Sequence, residues 1–76
     1  MIEAILIDDD KNLREGMKKL LGIFAPNIKI IGEADSVASG VRVIDKLKPQ
    51  VIFLDIQLND GAGFEILEKV AKKIKI

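Results

Sequence analysis

Four acidic side chains stand where their type and spacing could do chemistry. Asp8, Asp9 and Asp10 run together directly after the apolar stretch Ala4-Ile5-Leu6-Ile7, and Asp55 directly follows Val51-Ile52-Phe53-Leu54. The chain has no histidine and no cysteine. That removes the commonest general base, the commonest zinc ligand and any thiolate site or disulfide scaffold. Carboxylates alone suit a hard divalent cation with oxygen ligands, of which magnesium takes one or two carboxylates, a carbonyl, waters and a phosphoryl oxygen. A carboxylate beside such a cation can also attack a phosphoryl group and form an aspartyl phosphate, with the cation offsetting the charge that develops. The bland readings are a helix cap for Asp8–Asp10 and a strand-end turn residue for Asp55. Ser36 and Ser39 read as a cap and a helix surface residue, since nothing in the chain activates a serine. Asn59-Asp60-Gly61 reads as a turn with no chemistry.

The elements that position these acids follow from hydropathy patterning. Ala4–Ile7, with Ile2 before it, reads as a buried strand. Leu13, Met17, Leu20, Leu21 and Phe24 keep the period of an amphipathic helix, weakened at Gly16, where close packing is expected. Pro26-Asn27 breaks the chain. Ile28, Ile30 and Ile31 form a second strand ending near Gly32-Glu33-Ala34. Asp35 or Ser36 is the expected N-cap of a helix carrying Val37, Val41, Ile44 and Leu47, which Pro49 stops. Val51–Leu54 is a short continuous apolar run, suited to a strand buried on both faces. After the turn at Asn59–Gly63 a helix opens at Phe64, with Phe64, Leu67, Ala71 and Ile74 expected on one face. Lys69, Lys72, Lys73 and Lys75 fall toward its C-terminal end, a solvated face whose charge suits the dipole.

Strands alternating with helices predict a βαβαβα chain with a parallel sheet. A strand order of 2-1-3, which this alternation allows but does not dictate, would set the first and third strands side by side, so that Asp8, Asp9 and Asp55 would share the carboxyl edge where open α/β sheets bind ligands.

Composition closes off several function classes. The 76 residues form one small domain, 49% hydrophobic and 32% charged, with 12 basic and 12 acidic residues and a net charge of +0. Neutrality argues against bulk electrostatic binding to nucleic acid or membrane. No apolar run reaches the length of a membrane span, and the N-terminus lacks a basic leader, so the expected location is cytoplasmic.

ILIDDD after the first strand begins, GEADSVASGV after the second, and KPQVIFLDIQLNDGAGFEIL around the third resemble the receiver domain of two-component response regulators, in particular those attached to LytTR-type DNA-binding domains. The resemblance covers essentially all 76 residues. It implies a flavodoxin-like, three-layer fold and a role as phosphoacceptor, not an enzyme, in a phosphorelay. It implies Asp55 as the phosphoacceptor, Asp8 and Asp9 as magnesium ligands, and the main-chain carbonyl of Gln57 as a further ligand. Asp10 is more a cap than a ligand. A whole receiver has five β–α units and this chain supplies three, so residues 1–76 are expected to be a truncated receiver, a half-fold without the family's switch hydroxyl and lysine, whose signalling is incomplete. Lys75 is no substitute for that lysine. The expected partners are a histidine kinase and a second copy of the chain, through the open third-strand edge or the C-terminus. Two alternatives stand beside this reading. One is a self-associating structural half-fold without phosphotransfer. The other is a haloacid-dehalogenase-like phosphatase fragment that would use Asp8 and Asp10.

Overall fold

A computed structural model describes residues 1–71. Strand β1 (Ile2–Ile7) leads to helix α1 (Lys11–Phe24), β2 (Ile28–Ala34), α2 (Val37–Leu47) and β3 (Val51–Leu54). A short hairpin of β4 (Gln57–Leu58) and β5 (Gly61–Ala62) precedes α3 (Gly63–Ala71). The main sheet is parallel in the order β2-β1-β3. The predicted strand order and helix alternation are therefore present, with the hairpin as an addition that no periodicity signals.

β1 is the centre of the molecule. Ala4, Ile5, Leu6 and Ile7 are all buried, at 0–3% exposure. Its alternate side chains serve opposite layers, as the pleat demands. Ile5 and Ile7 face α2 and α3: a Cβ on Gly40 of α2 would meet Ile66 Cδ1 at 2.8 Å and Ile7 Cδ1 at 3.1 Å. Glycine at this position lets helix and sheet close. Leu6 faces the other way, toward α1, where it lines a groove with Phe53, Leu13, Met17 and Leu20. The register is in step along β3, from Ala4↔Val51 to Ile7↔Leu54, whereas a bulge interrupts the β2 pairing between Ala4 and Ile5.

The starts of α1 and α2 are each capped by a side chain. Asp10 Oδ1 accepts from the amides of Asn12 and Leu13 at 2.9 and 3.3 Å. Ser36, not Asp35, is the N-cap of α2 and forms a capping box with Ser39. Lys48 ends α2 in the left-handed conformation, φ 49.

Three expectations need correction. The buried side of α3 consists of Ile66 and Val70, while Phe64 and Leu67 are 60% and 48% exposed. Both stripes have helical spacing, and the approach of α3 to α2 selects between them; Ile74 lies outside the described residues. Gly16 has nothing within 4 Å of an added Cβ, so it marks no close packing among the described residues. β3 is half-buried throughout rather than enclosed on both faces. Among the described residues it pairs with β1 alone, and α1 buries no residue beside it, with Leu13, Leu20 and Phe24 left 53–78% exposed.

Ion pairs fasten α1 to β2. Glu33 accepts from Arg14 Nε at 3.0 Å and from Lys18 Nζ at 2.9 Å. Lys18, and after it Arg14, holds the Glu33 carboxyl below its usual range. Hydrogen bonds from the Val37 and Ala38 amides do the same for Asp60. Both carboxylates therefore favour the folded chain when ionised. Their contribution is present above the unfolded carboxylate range and is lost as pH falls through the depressed folded values.

Two outcomes follow. Thermal unfolding should occur at progressively lower temperature as pH is brought from 6 toward 2, about the range in which such carboxylates protonate, and Glu33→Gln should flatten that slope. In urea at neutral pH, Ile66→Ala should cost about 2–4 kcal/mol, whereas Phe64→Ala should cost less than about 1 kcal/mol because little packing is lost. A larger loss at Phe64 would contradict the orientation of α3.

Candidate functional site

Parallel pairing in step carries the carboxyl ends of β1 and β3 to the same edge of the sheet. The Asp55 amide donates to the Ile7 carbonyl at 2.9 Å, and the Asp8 amide donates to the Ala34 carbonyl of β2 at 3.0 Å. The strand ladder thus continues into the first acidic residue of each strand end. One carboxylate oxygen from each of Asp8, Asp9 and Asp55 lies within 4.8 Å of the others, all three residues being half-buried. Ligands on opposite sides of a magnesium ion are separated by about 4.2 Å. A cluster of this span, made of oxygen donors only, fits one hard cation with little movement.

Asp10 has a different place. Its amide donates to Asp8 Oδ1 at 2.9 Å, and its own carboxylate is committed to the start of α1. The acidic run therefore divides by position into a pair facing the sheet edge and a cap. This division disfavours the phosphatase reading, which needs Asp8 and Asp10 to act on one substrate.

Two features hold the β1 end. Arg14 Nη1 donates to the Asp8 carbonyl at 2.6 Å, and the same guanidinium donates through Nε to Glu33. Helix α1, strand β2 and the turn after β1 are thereby tied at one point, and a positive charge sits close to the acidic cluster. Arg14 read as an ordinary polar helix residue in the sequence. Nothing local distinguishes it, because its partners stand six residues before it and nineteen after it.

At the β3 end the chain turns back sharply. The Gly63 amide donates to the Ile56 carbonyl at 2.7 Å. A Cβ at Gly63 would collide with the Asp55 main-chain oxygen, so only glycine allows this return. Between these points runs the hairpin, Gln57 paired with Ala62 and Leu58 with Gly61. The Gln57 amide lies 3.4 Å from Asp55 Oδ1, a long and weak contact. Gln57 is exposed and borders, with Asp9, Asp55 and the hairpin, an open cavity of about 620 Å³. Asn59 and Asp60 form the turn at the hairpin tip, as the sequence suggests, and the Asp60 carboxylate accepts from the Val37 and Ala38 amides at 2.7 and 3.2 Å.

Sheet order, acidic edge and sequence converge on one family. The model of the response regulator receiver domain matches residues 4–75. The sensory transduction protein LytT of Bacillus anthracis is 41% identical over 75 residues, covering 99% of this chain and 30% of that protein. The nitrate/nitrite response regulator protein NarL of Escherichia coli K12 is 38% identical over 69 residues, covering 91% of this chain and 32% of that protein. The chain thus spans about a third of the length of these curated relatives. Among solved structures, the response regulator domain of Thermotoga maritima CheB superposes with a TM-score of 0.88 at 30% identity, covering 96% of this chain and 54% of that one. A carboxylate cluster at the carboxyl edge of a β2-β1-β3 parallel sheet, together with these matches, establishes that the chain belongs to the response regulator receiver domain family of two-component signalling.

Proposed function

We propose that Asp55 is a phosphoacceptor, and that Asp8, Asp9 and Asp55, with the main-chain carbonyl of Gln57, hold a magnesium ion. The observation that carries this reading is the approach of three carboxylates from two adjacent strand ends to within 4.8 Å. An uncompensated cluster of this kind is electrostatically unfavourable. Bound magnesium supplies positive charge that offsets the charge on a transferring phosphoryl group.

The chain's own groups define the rest. A carboxylate oxygen of Asp55 attacks phosphorus, the bond from phosphorus to the donor atom breaks, and the donor keeps that electron pair. The product is an aspartyl phosphate on Asp55. The Ile7 carbonyl, by accepting the Asp55 amide, fixes the residue at the strand end. The ties from Arg14 to the Asp8 carbonyl, and from the Asp10 amide to its carboxylate, hold the β1 acid facing the same edge. The natural donor is a histidine kinase phosphohistidine, and the place of action is the cytoplasm. The acceptor and the proposed cation ligands thus all lie within the first three β–α units.

A self-associating reading also has a specific observation behind it. The side of β3 left unpaired among the described residues and the exposed apolar residues of α1 border a groove of about 410 Å³. A second copy adding its own β3 edge would pair the free backbone groups and cover the apolar side chains.

With acetyl phosphate and magnesium, intact mass should rise by one phosphoryl group. Asp55→Asn should abolish this gain, and Asp8→Asn should slow it at least ~100-fold, about 2.7 kcal/mol in the barrier. A gain that persists in Asp55→Asn would overturn the assignment of the acceptor. On self-association, light scattering across a concentration series should give a dimer mass, which Leu20→Glu should return to that of a monomer. A wild-type monomer at every concentration would remove the second-copy reading.

A further inference from the structure

The first amides of a helix have no partner within it. In α2 they are served from two sources. The Ser39 amide donates to Ser36 Oγ at 3.0 Å, and the regular helical ladder begins with the Gly40 amide donating to the Ser36 carbonyl at 2.9 Å. The Val37 and Ala38 amides donate instead to Asp60, 23 and 22 residues farther along the chain. The cap of α2 is therefore completed by the tip of the β4–β5 hairpin.

That hairpin also borders the acidic site. Its base begins at Gln57, two residues after Asp55, and the Gly63–Ile56 hydrogen bond closes it. Leu58, 8% exposed, seats one side in the core. Asp60 holds the exposed tip by two hydrogen bonds, one of them 2.7 Å long. We propose that Asp60 is a positioning residue for the acidic site, fixing the hairpin that carries Gln57 against α2 and thereby coupling occupation of the site to the first turn of that helix. This inference rests on the magnesium and phosphoacceptor reading above, and adds a residue outside the proposed ligand set.

The physical argument is one of linkage. If the Gln57 carbonyl ligates the cation, binding restrains the hairpin base, and a restrained hairpin keeps Asp60 on the helix amides. Coupling of this kind is reciprocal: by whatever factor the Asp60 bonds to the helix amides strengthen cation binding, cation binding strengthens those bonds by the same factor. The carboxylate is well placed for it, because a negative charge at a helix N-terminus is favoured by the partial positive charge there.

The test is a magnesium titration of the 76-residue chain followed by NMR, with amide exchange measured at Val37 and Ala38. In wild type, magnesium should slow exchange at both amides. Asp60→Ala should weaken magnesium binding about tenfold, the low end of what outer groups contribute to metal sites, and should abolish the exchange response. Asp60→Asn keeps an acceptor oxygen and should recover part of both. Ser36→Ala also weakens α2 but leaves both Asp60 bonds in place, so its magnesium affinity should stay within about twofold of wild type. A wild-type chain that binds no magnesium would overturn the function reading itself. Binding at wild-type affinity in Asp60→Ala, or equal losses in Asp60→Ala and Ser36→Ala, would overturn the positioning role alone.

Discussion

The in-step pairing of β1 with β3 is the constraint on which the rest depends. Four residue pairs, Ala4↔Val51 through Ile7↔Leu54, bring two apolar runs of equal length to an end at the same level. The next residue of each strand is an aspartate, and its amide continues the ladder, to Ala34 of β2 from Asp8 and to Ile7 from Asp55. A slip of one residue would turn Ile5 and Ile7 from α2 and α3 toward α1 and bring Ala4 and Leu6 into their place. Burial of Ala4–Ile7 at 0–3% exposure makes that slip costly. The apolar core thus fixes the level at which the two strands end, and with it the meeting of Asp8, Asp9 and Asp55 at one sheet edge.

Around this edge, charges are divided by what each side chain can reach. Asp10 is drawn into the first turn of α1, and Asp60 into the first turn of α2. Each satisfies amides that a helix leaves unpaired. Asp8, Asp9 and Asp55 are left facing one another. Arg14 lies beside them with its guanidinium divided between the Asp8 carbonyl and Glu33. The site is in this sense the remainder of a capping arrangement, and its geometry is inherited from the helices on either side.

The two faces of the sheet are unequally covered. Ile5, Ile7, Val37, Ile44, Ile66 and Val70 make a closed core with α2 and α3. On the other face α1 lies against Leu6 and Phe53, but its own Leu13, Leu20 and Phe24 remain largely exposed. This apolar stripe lies next to the edge of β3 that is left unpaired among the described residues.

Local sequence pattern sets out the three strands of the main sheet, the helices and the acids that could do chemistry, but not the β4–β5 hairpin. Apolar period and breakers are local properties, so β1, α1, β2, α2 and β3 could be read from Ile2 to Leu54 almost residue by residue. Position beside a strand end was likewise enough to single out Asp8, Asp9 and Asp55, and resemblance to a family added the strand order. Only the tertiary structure decided which apolar stripe of α3 is buried, since Phe64–Leu67 and Ile66–Val70 are equally periodic and the choice depends on where α2 lies. Only it gave work to Asp60 and Arg14, whose partners are far away in sequence and carry no local signal. Short-range pattern reports the conformation of a segment. Which segments meet, and therefore which polar groups find each other, is decided by how the whole sheet is packed.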